Sequence, residues 1–293
     1  MTKPDLRLFP VVSHTLTRRE ATSGLLAAIG GAFLGACSST STSSSNPTGS
    51  ADAGANASPL GDAASVATEN TADSGASLWA KGGTKSMSGS YPDPFPTASA
   101  ACVVVATMTE GPCTEAADQV RKDVSEGSPG IPVRLALKVV DASCQAITGA
   151  KVKIWHTQIT GSYSGDTPNN GMCLKTAQDG QQHSFRGVQT SDANGRIDFD
   201  TCFPGWYPGR AIHIHFTVSL AGKSHTSQLV FDQALVDEIF STHEEYKGYG
   251  LPDTTNAKDN VVGNVDLPTF TLTVARMADG AMLAAKELVV SVA

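Results

Sequence analysis

Beyond residue 130, apolar and polar residues alternate with period two in stretch after stretch. In VRLALKVVD, Val133, Leu135, Leu137 and Val139 alternate with Arg134, Ala136 and Lys138; in KVKIW, Val152 and Ile154 alternate with Lys151 and Lys153. RIDFDT sets Ile197 and Phe199 against Asp198 and Asp200, and TFTLTV sets Phe270, Leu272 and Val274 against threonines. Successive side chains of a strand point to opposite faces, so each stretch predicts a strand with one buried face. Turn residues punctuate them. DANG at 192–195 predicts a hairpin, and ADG at 278–280 leads into a last strand near 287–292. Asp232 ahead of 233–246 predicts one short helix with that aspartate as its N-cap. Many short strands, frequent turns and few helices predict an all-β fold, an antiparallel β-sandwich.

Upstream the pattern is different. Residues 38–77 are Ser, Thr, Ala, Gly, Asn and Asp with hardly a large apolar side chain. Such a stretch cannot bury enough surface to offset the entropy of ordering, which predicts a flexible tether over 37–77. Ahead of it stand a basic start (Lys3, Arg7, Arg18, Arg19) and an apolar run from Gly24 to Ala36. That run is too short for a membrane span of about 20 residues, and the order of features reads as an export signal over 1–36. The arginine pair in TRRE suggests the twin-arginine route, and LGAC at 34–37 looks like a lipobox that would make Cys37 a lipidated first residue. The folded domain is expected over 78–293.

Charge narrows the partners. Residues 1–36 hold four of the 21 Lys/Arg and two of the 28 Asp/Glu, leaving 17 basic against 26 acidic residues, a net of −9. This surface does not suit nucleic acid or anionic lipid, so membrane attachment would run through the lipid on Cys37 alone. Five cysteines remain beyond Cys37, at 102, 113, 144, 173 and 202. Disulfides are permitted in an exported protein, an odd count leaves one thiol over, and the pairing is not readable from sequence.

Candidate chemistry concentrates in FPGWYPGRAIHIHF at 203–216. On the strand expected at 211–220, Ile212, Ile214, Phe216 and Val218 face the core, while His213, His215, Thr217 and Ser219 share the other face. Residues two apart lie about 6.6 Å apart along a strand, within reach of one metal ion. Two prolines and two glycines rigidify the preceding turn, which carries Tyr207 and Arg210. IWHTQITGSYS ends a strand and delivers Tyr163 in a Gly/Ser turn, and HTSQLVFD reads as a strand with Gln228 opposite Leu229 and Phe231. The histidine pair alone would also suit zinc or copper.

TEGPCT (109–114), VVDASCQAITGAKVKIWH (139–156), GSYS (161–164), FRGVQTSDANG (185–195), PGWYPGRAIHIHF (204–216) and SQLVFD (227–232) together resemble the intradiol ring-cleavage dioxygenases. LWAKGGTKSM, YPDPF and DTTNAKDN resemble the exported branch of that family. The resemblance spans 78–292. It implies a β-sandwich holding Fe(III) through Tyr163, Tyr207, His213 and His215. It implies cleavage of a catechol-type ring by O₂, between the two hydroxylated carbons, to a muconate-type diacid. Tyr207 would leave the metal and accept a substrate proton, Arg210 would steady charge on the ring, and Gln228 would line the substrate and O₂ pocket. Hard phenolate oxygens suit ferric iron, and only a strong Lewis acid keeps a phenol of pKa about 10 ionised at neutral pH.

Other conspicuous residues are expected elsewhere. His156, in phase with Val152 and Ile154, reads as a hydrogen-bonded core histidine, and Trp155 and Trp206 as walls of the pocket or core. His183, His225 and His243 have no partner at ligand spacing and read as surface residues. Glu110 reads as part of a turn. Cytoplasmic family members carry a helical dimerisation segment where this chain has signal and tether, which leaves assembly open, a homodimer included. TEGP is generally followed by an aromatic residue in the exported branch, where this chain has Cys113. A lipid-anchored binding module of the same fold without turnover is the alternative reading of the domain.

Overall fold

The computed structural model describes residues 78–97, 101–116 and 119–292, all within the unit Asn70–Ala293. The expected signal, Cys37 and the tether over 37–77 lie outside the described residues. Eight strands form among the described residues: β1 (Pro132–Val140), β2 (Lys151–Trp155), β3 (Arg186–Thr190), β4 (Arg196–Cys202), β5 (His213–Leu220), β6 (Lys223–Val230), β7 (Thr273–Arg276) and β8 (Met282–Val289). They make two four-stranded sheets, ordered β4-β1-β8-β7 and β3-β2-β5-β6. Every pairing is antiparallel except β1 with β8. The expected sandwich is the observed one.

The inner faces follow the alternation. Val133, Leu135 and Leu137 of β1, Ile197 and Phe199 of β4, Val152 and Ile154 of β2, and Ile214, Phe216 and Val218 of β5 belong to one buried cluster. The other face of β1 is covered as well. Ala136, Leu283 and Ala285 lie under Tyr91, Phe95 and Met277. Arg134 sits 5.1 Å from the centroid of the Tyr91 ring and Arg196 5.0 Å from that of Phe95. Asp279 accepts hydrogen bonds of 2.8 Å from the Ser88 amide, the Ser88 hydroxyl and the Tyr91 hydroxyl. The segment 88–95 is thereby strapped over a face that the alternation alone would leave to solvent.

Three local expectations differ from the fold. DANG at 192–195 does turn the chain, with the Gly195 amide donating to the Asp192 carbonyl at 3.0 Å, but β3 and β4 lie in different sheets. It is a crossover and not a hairpin; the same residues close either turn, and only the strands' partners decide. TFTLTV is not one strand, since Leu267–Phe270 form a short helix, α2, before β7 starts at Thr273. The Thr269 hydroxyl donates to the Asp266 carboxylate at 2.6 Å and Pro268 lies in the first turn, helix-starting signals that outweigh the alternation. The last strand begins at Met282 and ends at Val289, earlier than expected, because parallel pairing with β1 draws in Ala284 and Ala285. The helix expected at 233–246 runs from Gln233 to Thr242 (α1), and Asp232 caps it by accepting from the Ala234 and Leu235 amides at 2.9 and 3.3 Å.

Two disulfides form, Cys102–Cys144 and Cys113–Cys173. Cys202 is the thiol left over; it is buried, and burial pushes it up to about 12. Among the described residues no helix is long and apolar enough to cross a membrane.

Candidate active site

Three strands of one sheet carry a row of side chains on a common face. Trp155 of β2 stands opposite His215 of β5, which stands opposite Gln228 of β6, and directly opposed residues of antiparallel strands project to the same side. The Trp155 and His215 rings stack at 4.7 Å and 8°, which orients the imidazole. Two turns then close over this row. Gly161, at φ 75°, places Tyr163 in a turn whose amide donates to the Cys173 carbonyl at 2.7 Å. The turn bearing Tyr207 packs directly against it. A Cβ on Gly161 would fall inside the Trp206 carbonyl, and one on Gly205 would fall on the carbonyls of Gln158 and Ile159. Glycine is required at both positions because two backbones meet there.

The result is a convergence of four side chains. The Tyr163 hydroxyl lies 3.3 Å from His213 Nε2 and 3.2 Å from His215 Nε2. The two Nε2 atoms are 3.1 Å apart, and the Tyr207 hydroxyl is 3.5 Å from His213 Nε2. His213 Nδ1–H donates to the Ala211 carbonyl at 2.6 Å, so its Nε2 presents a bare lone pair to the cluster. All four residues are at most 8% exposed.

Electrostatics favour neutral imidazoles and protonated phenol here unless a cation is supplied. Burial, assisted by the charge of Arg210, lowers His213 to about 3. Burial, then His213, lowers His215 well below its usual value, and burial, then Tyr207, raises Tyr163 well above the usual phenol.

The cluster fits a metal ion. Bonds of about 2.0–2.2 Å meeting at about 100° would hold donors roughly 3.1–3.4 Å apart, and the four observed separations are 3.1–3.5 Å. Two phenol oxygens with two imidazole nitrogens form a mixed donor set whose hard oxygens suit a highly charged cation. Among the described residues no group of three or more His, Cys, Asp or Glu side chains converges in this way; half of the donors here are tyrosines.

A family model described as Dioxygenase matches residues 107–269. The chain belongs to the intradiol ring-cleavage dioxygenase family. It is similar to an intradiol ring-cleavage dioxygenase from Tetranychus urticae, at 27% identity and a TM-score of 0.58, over 65% of this chain and 95% of that one. A second dioxygenase structure, Tetur07g02040, matches at 27% identity and a TM-score of 0.56 over 65% of this chain and 95% of that one. The dioxygenase domain of a carbohydrate-binding fusion protein from Streptomyces sp. SirexAA-E aligns at 24% identity and a TM-score of 0.48, over 65% of this chain and all of that one, 100%.

In this family member, Arg210 is held on three sides. Its Nε donates to Asp259 at 2.8 Å, Nη1 to the Tyr207 hydroxyl at 3.3 Å and Nη2 to Gln228 Oε1 at 2.5 Å. Asp259 is 2% exposed and also accepts from the amides of Ala211 (2.7 Å), Val261 (2.7 Å) and Val262 (3.0 Å). Burial opposes its charge, but these amides and Arg210 prevail and hold the carboxyl below its usual value. Gln228 is fully buried and its Nε2 donates to the Thr109 carbonyl at 3.1 Å. It does not line the cavity above the cluster, and its contact is with Arg210. That cavity has a volume of about 280 Å³, and Tyr163, Tyr207, Arg210 and His215 are among the residues that line it.

All six residues singled out from the sequence meet here. Asp259 was missed, because an aspartate in a polar loop carries no periodic signal and its partner lies 49 positions away. His156 is the expected core residue, with Nδ1–H donating to the Thr157 carbonyl at 2.9 Å and Nε2 accepting from Thr201 at 2.7 Å. The surface reading of His225 and His243 is wrong. They are 4% and 8% exposed, His225 stacking on Phe216 and His243 edge-on to Tyr246. His183 is half-buried and pairs with Glu115 at 3.0 Å.

Proposed function

We propose that this family member is a non-haem Fe(III) enzyme that opens catechol-type rings between their hydroxylated carbons, placing both atoms of O₂ in a muconate-type diacid. The observation that carries this reading is the convergence of Tyr163, Tyr207, His213 and His215 at 3.1–3.5 Å beneath a small cavity. Ferric iron, when bound, supplies the Lewis acidity that keeps the phenols ionised and draws electron density from a chelated catechol, readying a ring carbon for O₂.

The residues divide the remaining work. The four donors hold the ion, and the Ala211 carbonyl and the Trp155 face fix the two imidazoles. Tyr207 is the donor bonded by Arg210 Nη1; with the ion bound, its phenolate oxygen would be the base placed to accept one catechol proton. Arg210, committed by Asp259 and Gln228, presents a fixed positive charge to the cavity, where negative charge would grow on the ring. Burial excludes bulk water, which strengthens that interaction.

The site is proposed to work in the cell envelope, anchored by a lipid on Cys37. The two disulfides support an oxidising compartment, and loss of lipid labelling in a Cys37→Ser variant tests the anchor.

The decisive measurement is metal analysis with a visible spectrum. Purified protein is expected to carry iron and a tyrosinate-to-Fe(III) charge-transfer band that weakens or shifts in Tyr163→Phe, and to consume O₂ when given catechol. An iron-loaded but colourless protein overturns the ligand set. A coloured protein that binds catechol without O₂ uptake is instead a binding module.

A further inference from the structure

The cavity beside the donor cluster is lined by few charged groups. Pro112, Met172, Pro208 and Val261 supply apolar surface to its lining, with Thr109 and Asn260 as neutral polar groups. Among the described residues lining it, Arg210 is the sole cation and no carboxylate appears. Arg210 is already engaged by Asp259, Gln228 and Tyr207. Nearby cations are committed elsewhere: Lys175 donates to the Thr160 carbonyl, and Arg186 lies behind the wall, bonded to the carbonyls of Cys113 and Ser164. The wall is also fixed. Met172 directly precedes Cys173, whose disulfide to Cys113 ties both sides of the mouth together.

We infer that the substrate is a single-ring catechol whose ring substituents are uncharged and apolar, and that Met172 and Val261 set this preference. The inference rests on the proposed ring-cleavage reading. A volume of about 280 Å³ is at the low end of small-molecule sites, which run about 300–1,000 Å³, and suits one ring with small substituents. An ammonium on that ring would meet the like charge of Arg210, and a carboxylate would find Arg210, already bonded three ways, as its one charged neighbour among the described lining residues while losing hydration against proline, methionine and valine; both are unfavourable.

The test compares 4-methylcatechol, 3,4-dihydroxybenzoate and dopamine on the iron-loaded protein. Dissociation constants are measured anaerobically by calorimetry, and kcat/KM by oxygen uptake. At least about tenfold weaker binding and lower kcat/KM are expected for both charged compounds, from the cost of an unpaired buried charge. Met172→Arg, at a position 44% exposed and so tolerant of the change, is expected to recover most of that loss for 3,4-dihydroxybenzoate and none for dopamine. Equal affinity for the neutral and anionic compounds in the unmodified protein overturns the inference while leaving ring cleavage standing. An unchanged ratio in Met172→Arg overturns the assignment of Met172. Failure of every compound to bind or react overturns the ring-cleavage reading itself.

Discussion

Replacing Asp259 by Asn is the sharpest probe of how the site is held together. The carboxylate accepts four hydrogen bonds, two on each oxygen: Arg210 Nε and the Ala211 amide on Oδ2, the Val261 and Val262 amides on Oδ1. An asparagine keeps one acceptor oxygen and turns an NH₂ towards the other pair, so two donors then face a donor. Removing one partner of a buried, hydrogen-bonded charge pair costs about 3–5 kcal/mol. For a domain of this size each kcal/mol lowers Tm by about 2–4 °C, so a fall of roughly 6–20 °C is expected by calorimetry. The site should suffer beyond that. At a temperature where the variant remains folded, its iron content and visible band are expected to persist, because Asp259 touches none of the four donors. Its kcat should fall by about tenfold or more as Arg210 loses its fixed position, a loss of about 1.4 kcal/mol. Arg210→Gln and the double variant complete a cycle whose coupling should lie in the range of about 0.5–3 kcal/mol for contacting residues. An unchanged Tm together with an unchanged kcat would show that Asp259 neither supports the fold nor steadies the arginine.

Three further outcomes are expected. Gly161→Ala should lose iron and the visible band, since its side chain would enter the Trp206 carbonyl at a φ of 75°; retention of full iron occupancy would contradict the packing of the two turns. His156 is lowered to about 4 by burial, so its contribution to stability is complete above the free-histidine value of about 6.5 and is lost as pH falls towards 4, about 3 kcal/mol in all; chemical denaturation between pH 7 and 4 should show this loss, and His156→Gln should remove most of it. Opening the Cys113–Cys173 bridge in a double serine variant releases a loop closed across 60 residues, worth about 4 kcal/mol by the chain-entropy relation; the same variant should show a smaller ratio of KM values between bulkier ring compounds and catechol than the wild type does, and an unaltered ratio would dissociate the bridge from the pocket wall.

The alternating strands and the histidine pair were legible because both depend on residues close in sequence. Ile214, Phe216 and Val218 need only the strand period to turn inward, and the same period turns His213 and His215 the other way. What could not be read depends on distant partners. Asp192–Gly195 closes a turn whichever sheet receives β4. His225 is buried because Phe216 lies beside it across the β5–β6 pair, although the residues around it are polar. Asp259 joins the site because Arg210, 49 positions earlier, comes to it. The segment 88–95 reads as loop, and its role over β1 depends on Arg134 and Arg196 supplying cations for its rings.

The meeting of the two tyrosine-bearing turns has a kinetic consequence. The Gly205 amide donates to the Gln158 carbonyl, its own carbonyl accepts from Thr157, and Gly209 is tied to Asp253. With its main chain stitched at both ends, Tyr207, if it is to yield to a diol as proposed, would do so by swinging about its own Cα–Cβ axis. On the proposed reading, exchange of ligands at this centre would be a rotor problem and not a hinge problem, its speed governed by the few atoms that brush against one phenol ring as it turns.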